Sequence, residues 1–275
     1  MVKMIDEPFL LIGNDCSSVL SKTFANASVC IYTCKQPDKT SGNEDSAAII
    51  PSGNDAGVLV VADGLGGLAG GDKASATVVN MINDAVKKQL DSTSLRGSIL
   101  DGIEQANKTI LAMGTGSATT IIAVEVNDKT VRSFHAGDSM ALIVGQRGKV
   151  KYQTISHSPI GYAMESGFME EDEAMTHDER HLVSNVVGAA DLRLELGPLL
   201  KLAKRDTLLL GSDGLFDNLT IDEIIEIIRC GPLRQCADEL VKACNERMSG
   251  NLDNVLSKPD DMTFILYRPV TKESA

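Results

Sequence analysis

The stretch that decides the fold spans residues 57–90 and reads GVLVVADGLGGLAGGDKASATVVNMINDAVKKQL. It begins with an apolar, mostly β-branched run at 57–62, which is typical of a buried strand. A glycine-rich turn that carries one acid, Asp63, follows this run. From 72 to 90 the apolar residues recur at the spacing of a helix that buries one face. The stretch therefore predicts a strand, an acidic turn and a long amphipathic helix.

The same two patterns continue on both sides of this stretch. Asn127 and Asp128 are predicted to supply the turn of a hairpin, and residues 165–180 are predicted to be helical in part. Groups of strands alternate with pairs of helices, which is not the order of a parallel βαβ array. We therefore expect an α+β fold with helices packed on antiparallel sheets. The other predicted strands are 27–34, 46–50, 118–126, 131–135, 141–144, 207–210 and 262–267, and the other predicted helices are 95–113, 221–229 and 233–248.

The composition indicates one folded domain. Apolar residues make up 43% of the 275 residues, which is enough for a packed core, and no repeat or proline-rich linker divides the chain. We expect a leader of uncertain structure over residues 1–26, a domain over 27–268 and a short tail over 269–275.

Charge and hydropathy exclude several classes of protein. The chain has 26 Lys and Arg against 38 Asp and Glu, and its net charge of −12 opposes binding to nucleic acid. No apolar run approaches the ~18 residues of a membrane span, so we expect a cytoplasmic protein without membrane contact. The six cysteines are too few for a disulfide scaffold and are interpreted as reduced structural thiols.

Five short motifs place acids beside apolar strands or in the turns after them. A short Asp side chain at a rigid strand end can reach a common centre, and neighbouring glycines let backbone carbonyls approach it. Converging acids repel one another unless cations neutralise them, and oxygen ligands favour Mg²⁺ or Mn²⁺ over zinc. The five motifs are Asn43-Glu44-Asp45, Asp63-Gly64-Leu65-Gly66-Gly67, Gly137-Asp138-Ser139, Ser212-Asp213-Gly214-Leu215 and Asp260-Asp261-Met262-Thr263.

Any one of these motifs taken alone is also compatible with ordinary turn chemistry. What favours a site is the coincidence of five such motifs, each beside an apolar strand and spread over more than 200 residues. The residues themselves therefore predict a polar site for two metal ions.

The order and the sequences of the motifs resemble those of the metal-dependent protein serine/threonine phosphatases of the type-2C (PPM) family, in its bacterial-type form. The resemblance runs from about residue 27 to residue 268. It implies a β-sandwich of two antiparallel sheets flanked by helix pairs, a four-layer α-β-β-α arrangement that agrees with the element order above.

The resemblance also implies roles for individual residues. Asp63 would bridge two Mg²⁺ or Mn²⁺ ions, and the Gly64 carbonyl would help to hold one of them. Asp213 and Asp260 would ligate the other ion. Asp261 stands where the family usually has Asn, so the choice between Asp260 and Asp261 stays open, with the register of the motif favouring Asp260. The remaining implied contacts are Asp45 through bound water, Glu44 to the metal-water shell, and Asp138 to a third, weaker ion.

The implied activity is hydrolysis of phosphoserine and phosphothreonine in proteins by a monomeric enzyme. A hydroxide between two ions about 4 Å apart would attack phosphorus in line, without a covalent enzyme intermediate. The ions would supply most of the charge stabilisation. The catalytic residues would be Asp63, Asp213 and Asp260.

Two positions depart from the family pattern. Many members have an Arg three residues before the Asn of the Asn-Glu-Asp motif, where its planar fork binds the substrate phosphate. Here that position is Thr40, and the neighbouring Lys39 is the candidate phosphate-binding residue, although it offers a point charge without the fork. The second departure is Leu65, where eukaryotic members often have a His proposed as general acid.

Residues 158–185 resemble the variable flap of the family, where substrate choice is partly set. His157, His177 and His181 lie in or beside this stretch and are interpreted as surface or packing residues without a catalytic role.

Two further hypotheses stay open. The missing Arg at Thr40 motivates a catalytically weak phosphatase-like module that binds phosphoproteins. The acidic turns alone are also compatible with a structural protein that metal ions stabilise. The retained acids favour the enzyme over the binding module.

Overall fold

Completely buried apolar strands form the centre of the protein. In a computed structural model, which describes residues 4–65, 70–88, 95–250 and 257–270, they are arranged in two antiparallel sheets. The strands of the first sheet are β1 (Phe9–Ile12), β4 (Ser46–Pro51), β5 (Ala56–Ala62), β8 (Ile121–Asn127) and β9 (Thr130–Ala136), with β12 (Glu195–Leu196) and β13 (Leu200–Lys201) both paired to β9.

The second sheet packs against the first and is also antiparallel. The order of its strands is β11 (Val150–Gln153), β10 (Met140–Val144), β14 (Thr207–Gly211), β15 (Met262–Pro269), β3 (Ala27–Cys34) and β2 (Leu20–Phe24). Two very short strands, β6 (Gly64–Leu65) and β7 (Ala118–Thr119), form a separate pair beside the first sheet.

Helices cover the outer faces of both sheets. The apolar stripe of α1 and α2 packs on the first sheet through residues such as Ile82 and Ile103, and α6 and α7 pack on the second through Ile224 and Leu240. The helices are α1 (Gly71–Lys88), α2 (Leu95–Met113), α3 (Pro159–Glu165), α4 (Glu171–Thr176), α5 (Asp213–Phe216), α6 (Ile221–Ile228) and α7 (Leu233–Met248).

A third apolar layer lies between the two sheets. Leu59 and Val124 of the first sheet contribute to it, as do Ile31, Leu210 and Ile265 of the second, and all five are completely or almost completely buried. Full burial of one such side chain contributes roughly 1.5–3 kcal/mol, so this layer holds the sheets together. The predicted four-layer α-β-β-α sandwich is confirmed.

Several predicted elements differ from the structure in detail. The predicted strand 118–126 is divided at Thr120, whose N–H donates to the Asp63 carbonyl at 2.8 Å instead of continuing the ladder. The hairpin turn lies one residue later than predicted, at Asp128 and Lys129, because Asn127 pairs with Thr130.

Two stretches whose structure the sequence left uncertain contain ordered elements. Within the leader predicted for 1–26, β1 pairs with β4 and β2 pairs with β3. The partly helical stretch predicted for 165–180 contains α4 and the end of α3. Residues 89–90 of the first predicted helix and residues 271–275 of the predicted tail lie outside the described residues. Among the described helices, none has the length and apolar character that crossing a membrane requires.

Candidate metal centre

Two of the predicted acids extend from neighbouring strands of the first sheet. Asp45 directly precedes β4 and Asp63 directly follows β5, and the register of these strands pairs Ser46 with Ala62. Antiparallel strands bring the start of one beside the end of the other, so the two acids lie at the same edge. The local sequence places both there because each adjoins a completely buried strand end.

The second sheet brings acids to the same edge. Asp213 follows β14 and Asp260 precedes β15, its antiparallel neighbour. Asp138 lies in the connection between β9 and β10, and the pairing of Met140 with Gly211 places it near Asp213. The structure therefore brings Asp45, Asp63, Asp138, Asp213 and Asp260 together, although more than 200 residues separate the first from the last.

The backbone of Asp63 is held by two threonines. Its carbonyl accepts hydrogen bonds from the Thr119 hydroxyl and the Thr120 N–H, both at 2.8 Å, and its N–H donates to the Thr120 hydroxyl at 3.1 Å. These bonds fix the direction in which the Asp63 side chain leaves the strand.

Gly64 allows a close approach of three backbone segments. A Cβ at this position would lie 2.2 Å from the Gly71 carbonyl oxygen and 2.7 Å from the Glu44 carbonyl oxygen. Since real Cβ atoms do not approach other atoms so closely, only glycine fits between the start of α1 and the Asn-Glu-Asp motif. The next two glycines of the motif, 66 and 67, lie outside the described residues.

Burial and mutual repulsion raise the pKa of most acids in the centre. Burial is the largest cause in each case, and the charges of neighbouring acids add to it. Asp63 has its pKa raised well above its ordinary value, with Asp45, Asp213, Asp138 and Asp260 as the repelling neighbours. The pKa rises to about 8 for Asp45, about 8 for Asp138, about 7 for Asp260 and about 6 for Asp217.

The donor atoms of the centre fit a hard divalent cation. Among the described residues, Oδ1 of Asp45 and Oδ1 of Asp213 are buried and have no hydrogen-bond partner. Buried carboxylate oxygens without partners are costly unless a cation binds them. Because these two oxygens come from different sheets and are surrounded by further carboxylates, the set fits Mg²⁺ or Mn²⁺.

Asp261 differs from Asp260 in its surroundings. Its carboxylate is almost completely buried and accepts hydrogen bonds from the backbone N–H of Gln36 and of Glu44, each at 2.7 Å. The Lys39 ammonium donates to the same carboxylate at 2.6 Å and to Glu44 Oε2 at 2.9 Å. Asp261 thus binds protein donors, and Asp260 is the more available of the two acids.

The predicted site residues do not include two further charged residues at the centre. Asp217 ends the Ser-Asp-Gly-Leu-Phe-Asp stretch, and Lys258 lies two residues before Asp260. The Lys258 ammonium contacts Asp213 Oδ2 at 2.6 Å and Asp217 Oδ2 at 2.5 Å. Their positions in the sequence offer a signal, but the ion pairs depend on tertiary structure.

Behind the Gly137–Asp138 turn lies a pair of stacked histidines. His135 and His157 have ring centroids 4.4 Å apart, and one ligand atom from each lies within 4.8 Å of a Glu195 oxygen. His157 Nδ1 accepts from the Gly137 N–H at 3.2 Å and from the Asn185 amide at 2.9 Å. Its proton is therefore on Nε2, which donates to Glu195, so that neither nitrogen of His157 is available to a metal.

The other two histidines interpreted as surface or packing residues lie within residues 158–185. His177 is the C-cap of α4 and its Nδ1 accepts from the Glu179 N–H at 3.1 Å, while His181 is exposed. Their positions give no reason to assign them a catalytic role.

Comparison with known proteins identifies the family. The profile of protein phosphatase 2C matches residues 38–257, so the chain belongs to this family. The serine/threonine phosphatase stp of Listeria monocytogenes is 26% identical over 224 residues, which cover 78% of this chain and 87% of that protein.

Solved structures show the same fold. The serine/threonine phosphatase of S. agalactiae has a TM-score of 0.76 at 25% identity, and the match covers 89% of this chain and 100% of that one. The catalytic domain of the serine threonine protein phosphatase PstP in complex with 2 manganese ions has a TM-score of 0.68 at 22% identity, covering 88% and 98%. The chain is a protein phosphatase, and the resemblance stated from its motifs is confirmed.

Proposed function

We propose that this phosphatase depends on Mg²⁺ or Mn²⁺ and hydrolyses phosphoserine and phosphothreonine in proteins. The observation that carries the proposal is the convergence of strand-end acids from both sheets, with buried oxygens of Asp45 and Asp213 that lack protein partners in the described chain. The relative whose structure contains two manganese ions supports the choice of metal.

The residues expected to hold two ions are those of the acidic centre. Asp63 lies between the acids of both sheets and is the proposed bridge, Asp213 and Asp260 are the proposed ligands from the second sheet, and the Gly64 carbonyl, Asp45 and Glu44 complete the set. The resemblance stated from the motifs would add a third, weaker ion beside Asp138. When bound, the ions supply the Lewis acidity that activates water and offsets the charge of the phosphate.

Cys34 is not a suitable alternative nucleophile for this centre. Cys34 lies at the end of β3 near Asp45 and Asp261, and burial, together with these negative charges, raises the pKa of its thiol to about 11. A neutral thiol is a weak nucleophile, so Cys34 does not act as the cysteine of a covalent phosphatase. The geometry instead favours direct attack by water, which the acids position.

Lys39 remains the proposed phosphate ligand. Its ammonium lies at the rim of the centre between Glu44 and Asp261, and its side chain is 15% exposed. Both carboxylates engage the ammonium, so a phosphate would bind as a third partner of Lys39 rather than to an unpaired charge. This arrangement predicts weaker phosphate capture than a planar Arg fork provides.

A cavity of about 320 Å³ leads from the acids to the flap over residues 158–185. Asp138, Asp213 and Asp217 line its acidic end, and its other lining residues include Ile160, Met164 and Met175 of the flap and Phe216. Such a cavity offers apolar contact beside the phosphorylated residue of a protein substrate.

The engaged state of Lys39 also favours a second candidate function. If Lys39 binds the phosphate without positioning it for attack, the protein would bind phosphoproteins as a regulatory module with little turnover. Turnover measurements separate the two functions.

The experiment measures hydrolysis of an aryl phosphate and of a phosphothreonine peptide with Mn²⁺, with Mg²⁺ and with a chelator. Wild type is compared with Asp213→Asn and with Asp238→Asn, a matched change in a surface ion pair of α7. Metal-dependent turnover that only Asp213→Asn removes supports the phosphatase. Binding of the phosphopeptide without turnover, in the presence of bound metal, supports the regulatory module instead.

A further inference from the structure

Lys258 is held in place by a buried side chain. The Asn218 amide donates to the Lys258 carbonyl at 2.8 Å, and the Lys258 N–H donates to Asn218 Oδ1 at 3.1 Å. Asn218 is completely buried and also donates to the Gly214 carbonyl of α5 at 3.0 Å. These bonds tie the backbone of Lys258 to the helix that carries Asp213. Its side chain therefore begins at a defined position, not on a loosely placed segment.

The ammonium of Lys258 points into the acidic centre. It lies 2.6 Å from Asp213 Oδ2, 2.5 Å from Asp217 Oδ2 and 3.8 Å from Asp260 Oδ2, and its side chain is 17% exposed. Three carboxylates thus surround one cation that the chain itself supplies. The other oxygen of Asp213, Oδ1, has no partner in the described chain and stays available to a metal ion.

Asp138 belongs to the same group of charges. It lines the same cavity as Asp213 and Asp217, and its carboxylate lies within electrostatic reach of the Lys258 ammonium. A divalent ion shared by Asp138 and Asp213 would have to enter the space beside the ammonium. Two cations at this distance repel each other strongly in a partly buried site.

We propose that Lys258 is a tethered cation that replaces a third divalent ion between Asp138, Asp213 and Asp217, so that this phosphatase binds two ions. The inference rests on the proposed function, since it presupposes the two-metal centre. A tethered charge is present at any metal concentration. Charge neutralisation beside Asp138 would then not depend on a weakly bound ion.

The test counts bound Mn²⁺ by isothermal titration and by equilibrium dialysis with metal analysis, up to millimolar free Mn²⁺. Wild type is compared with Lys258→Gln, which keeps a hydrogen-bond donor but loses the charge, and with Lys258→Arg, which keeps the charge. Lys108→Met removes the same charge from the surface ion pair with Glu104 and controls for net charge.

We expect two Mn²⁺ per chain for wild type, Lys258→Arg and Lys108→Met, and three for Lys258→Gln. Metal-free Lys258→Gln should also have a lower Tm, which Mn²⁺ raises more than in wild type. Three ions in wild type, or an unchanged count of two in Lys258→Gln, would overturn the inference and leave the two-metal phosphatase standing. A wild type that binds no Mn²⁺ would instead remove the proposed function. The number of ions bound by wild type can by itself contradict the inference. The test therefore remains decisive even if Lys258→Gln fails to fold.

Discussion

The Ser212 hydroxyl donates to Asp45 Oδ2 at 2.8 Å, although Asp45 precedes a strand of the first sheet and Ser212 follows a strand of the second. The same hydroxyl accepts the Thr263 N–H at 3.0 Å. Ser212 thereby fixes one carboxylate oxygen of Asp45 and leaves Oδ1 without a partner in the described chain. This bond contributes to the direction of the Asp45 carboxylate in the centre.

Ser212→Ala is therefore expected to weaken metal binding. Loss of a hydrogen-bond partner behind a metal-binding side chain typically lowers metal affinity or activity about 10–100-fold. Titration with Mn²⁺ would measure the change. Ser166→Ala, which removes an exposed hydroxyl bonded to the Tyr162 carbonyl in the flap, is the control. An Mn²⁺ affinity equal to wild type in Ser212→Ala would show that Asp45 is positioned by other contacts.

Asp63→Asn should abolish turnover and stabilise the metal-free protein. The change removes the proposed bridging ligand and should lower kcat by roughly 10²-fold or more. The change also removes a carboxylate whose pKa is raised by burial and by four neighbouring acids. Repulsion in the metal-free centre therefore decreases. Kinetics with Mn²⁺ and the Tm in chelator measure the two effects. Asp101→Asn on the exposed face of α2 should change neither, and retained turnover in Asp63→Asn would contradict the assignment.

The metal-free protein should lose stability as pH rises, whereas Mn²⁺ affinity should increase. Burial and neighbouring acids raise the folded-state pKa of Asp45 and of Asp138 from 3.8 to about 8. The unfolded chain loses these protons near pH 4 and the folded chain near pH 8, so stability falls across this window and levels off above it.

Mn²⁺ competes with the same protons. For each proton that the metal displaces, the apparent Mn²⁺ affinity should rise about tenfold per pH unit, as long as the pH is below the folded-state pKa. Measurements of Tm in chelator and of Mn²⁺ affinity between about pH 6 and pH 8 check both directions. A metal-free Tm that rises with pH would show that these acids are ionised in the folded protein.

Lys39→Met should raise KM for phosphopeptide and lower stability. The change removes the proposed phosphate ligand and one of the donors to the buried carboxylate of Asp261. A buried acceptor that loses a donor costs about 1–3 kcal/mol. Lys39→Arg keeps the charge, so its KM should stay close to that of wild type. If Lys39→Met lowers the Tm but leaves KM unchanged, Lys39 is a structural partner of Asp261 alone.

Gly64→Ala should destabilise the protein and Gly97→Ala should not. A Cβ at Gly64 would overlap the carbonyl oxygens of Gly71 and Glu44, and such overpacking costs about 1–3 kcal/mol. Gly97 lies in α2 with no atom within 4 Å of its added Cβ, so alanine there should stabilise the helix by about 0.5–1 kcal/mol. Chemical denaturation of the two variants measures the difference, and equal stabilities would contradict the close approach at Gly64.

The elements with a clear local pattern could be predicted from the sequence. The bounds of α2 (Leu95–Met113) and α7 (Leu233–Met248) agree with the predicted residues because their apolar stripes continue to the last turn. The acids at strand ends could also be found, since each adjoins a buried strand.

What depends on tertiary contacts could not be predicted. The division of the strand at Thr120 arises from a hydrogen bond to Asp63, and the strands β1 and β2, of four and five residues, are too short to show a pattern. The ion pairs of Lys258 with Asp213 and Asp217 join residues more than 40 positions apart. Local spacing carries no information about such pairs.

The division of the acids between the two sheets has a mechanical consequence. Asp45 and Asp63 extend from one sheet, and Asp213 and Asp260 from the other, so a divalent ion held among them would be a reversible cross-link at one end of the sandwich. A ligand that binds only the folded state stabilises it more as its concentration rises. The resistance of this end to local opening would thus follow the supply of divalent ions.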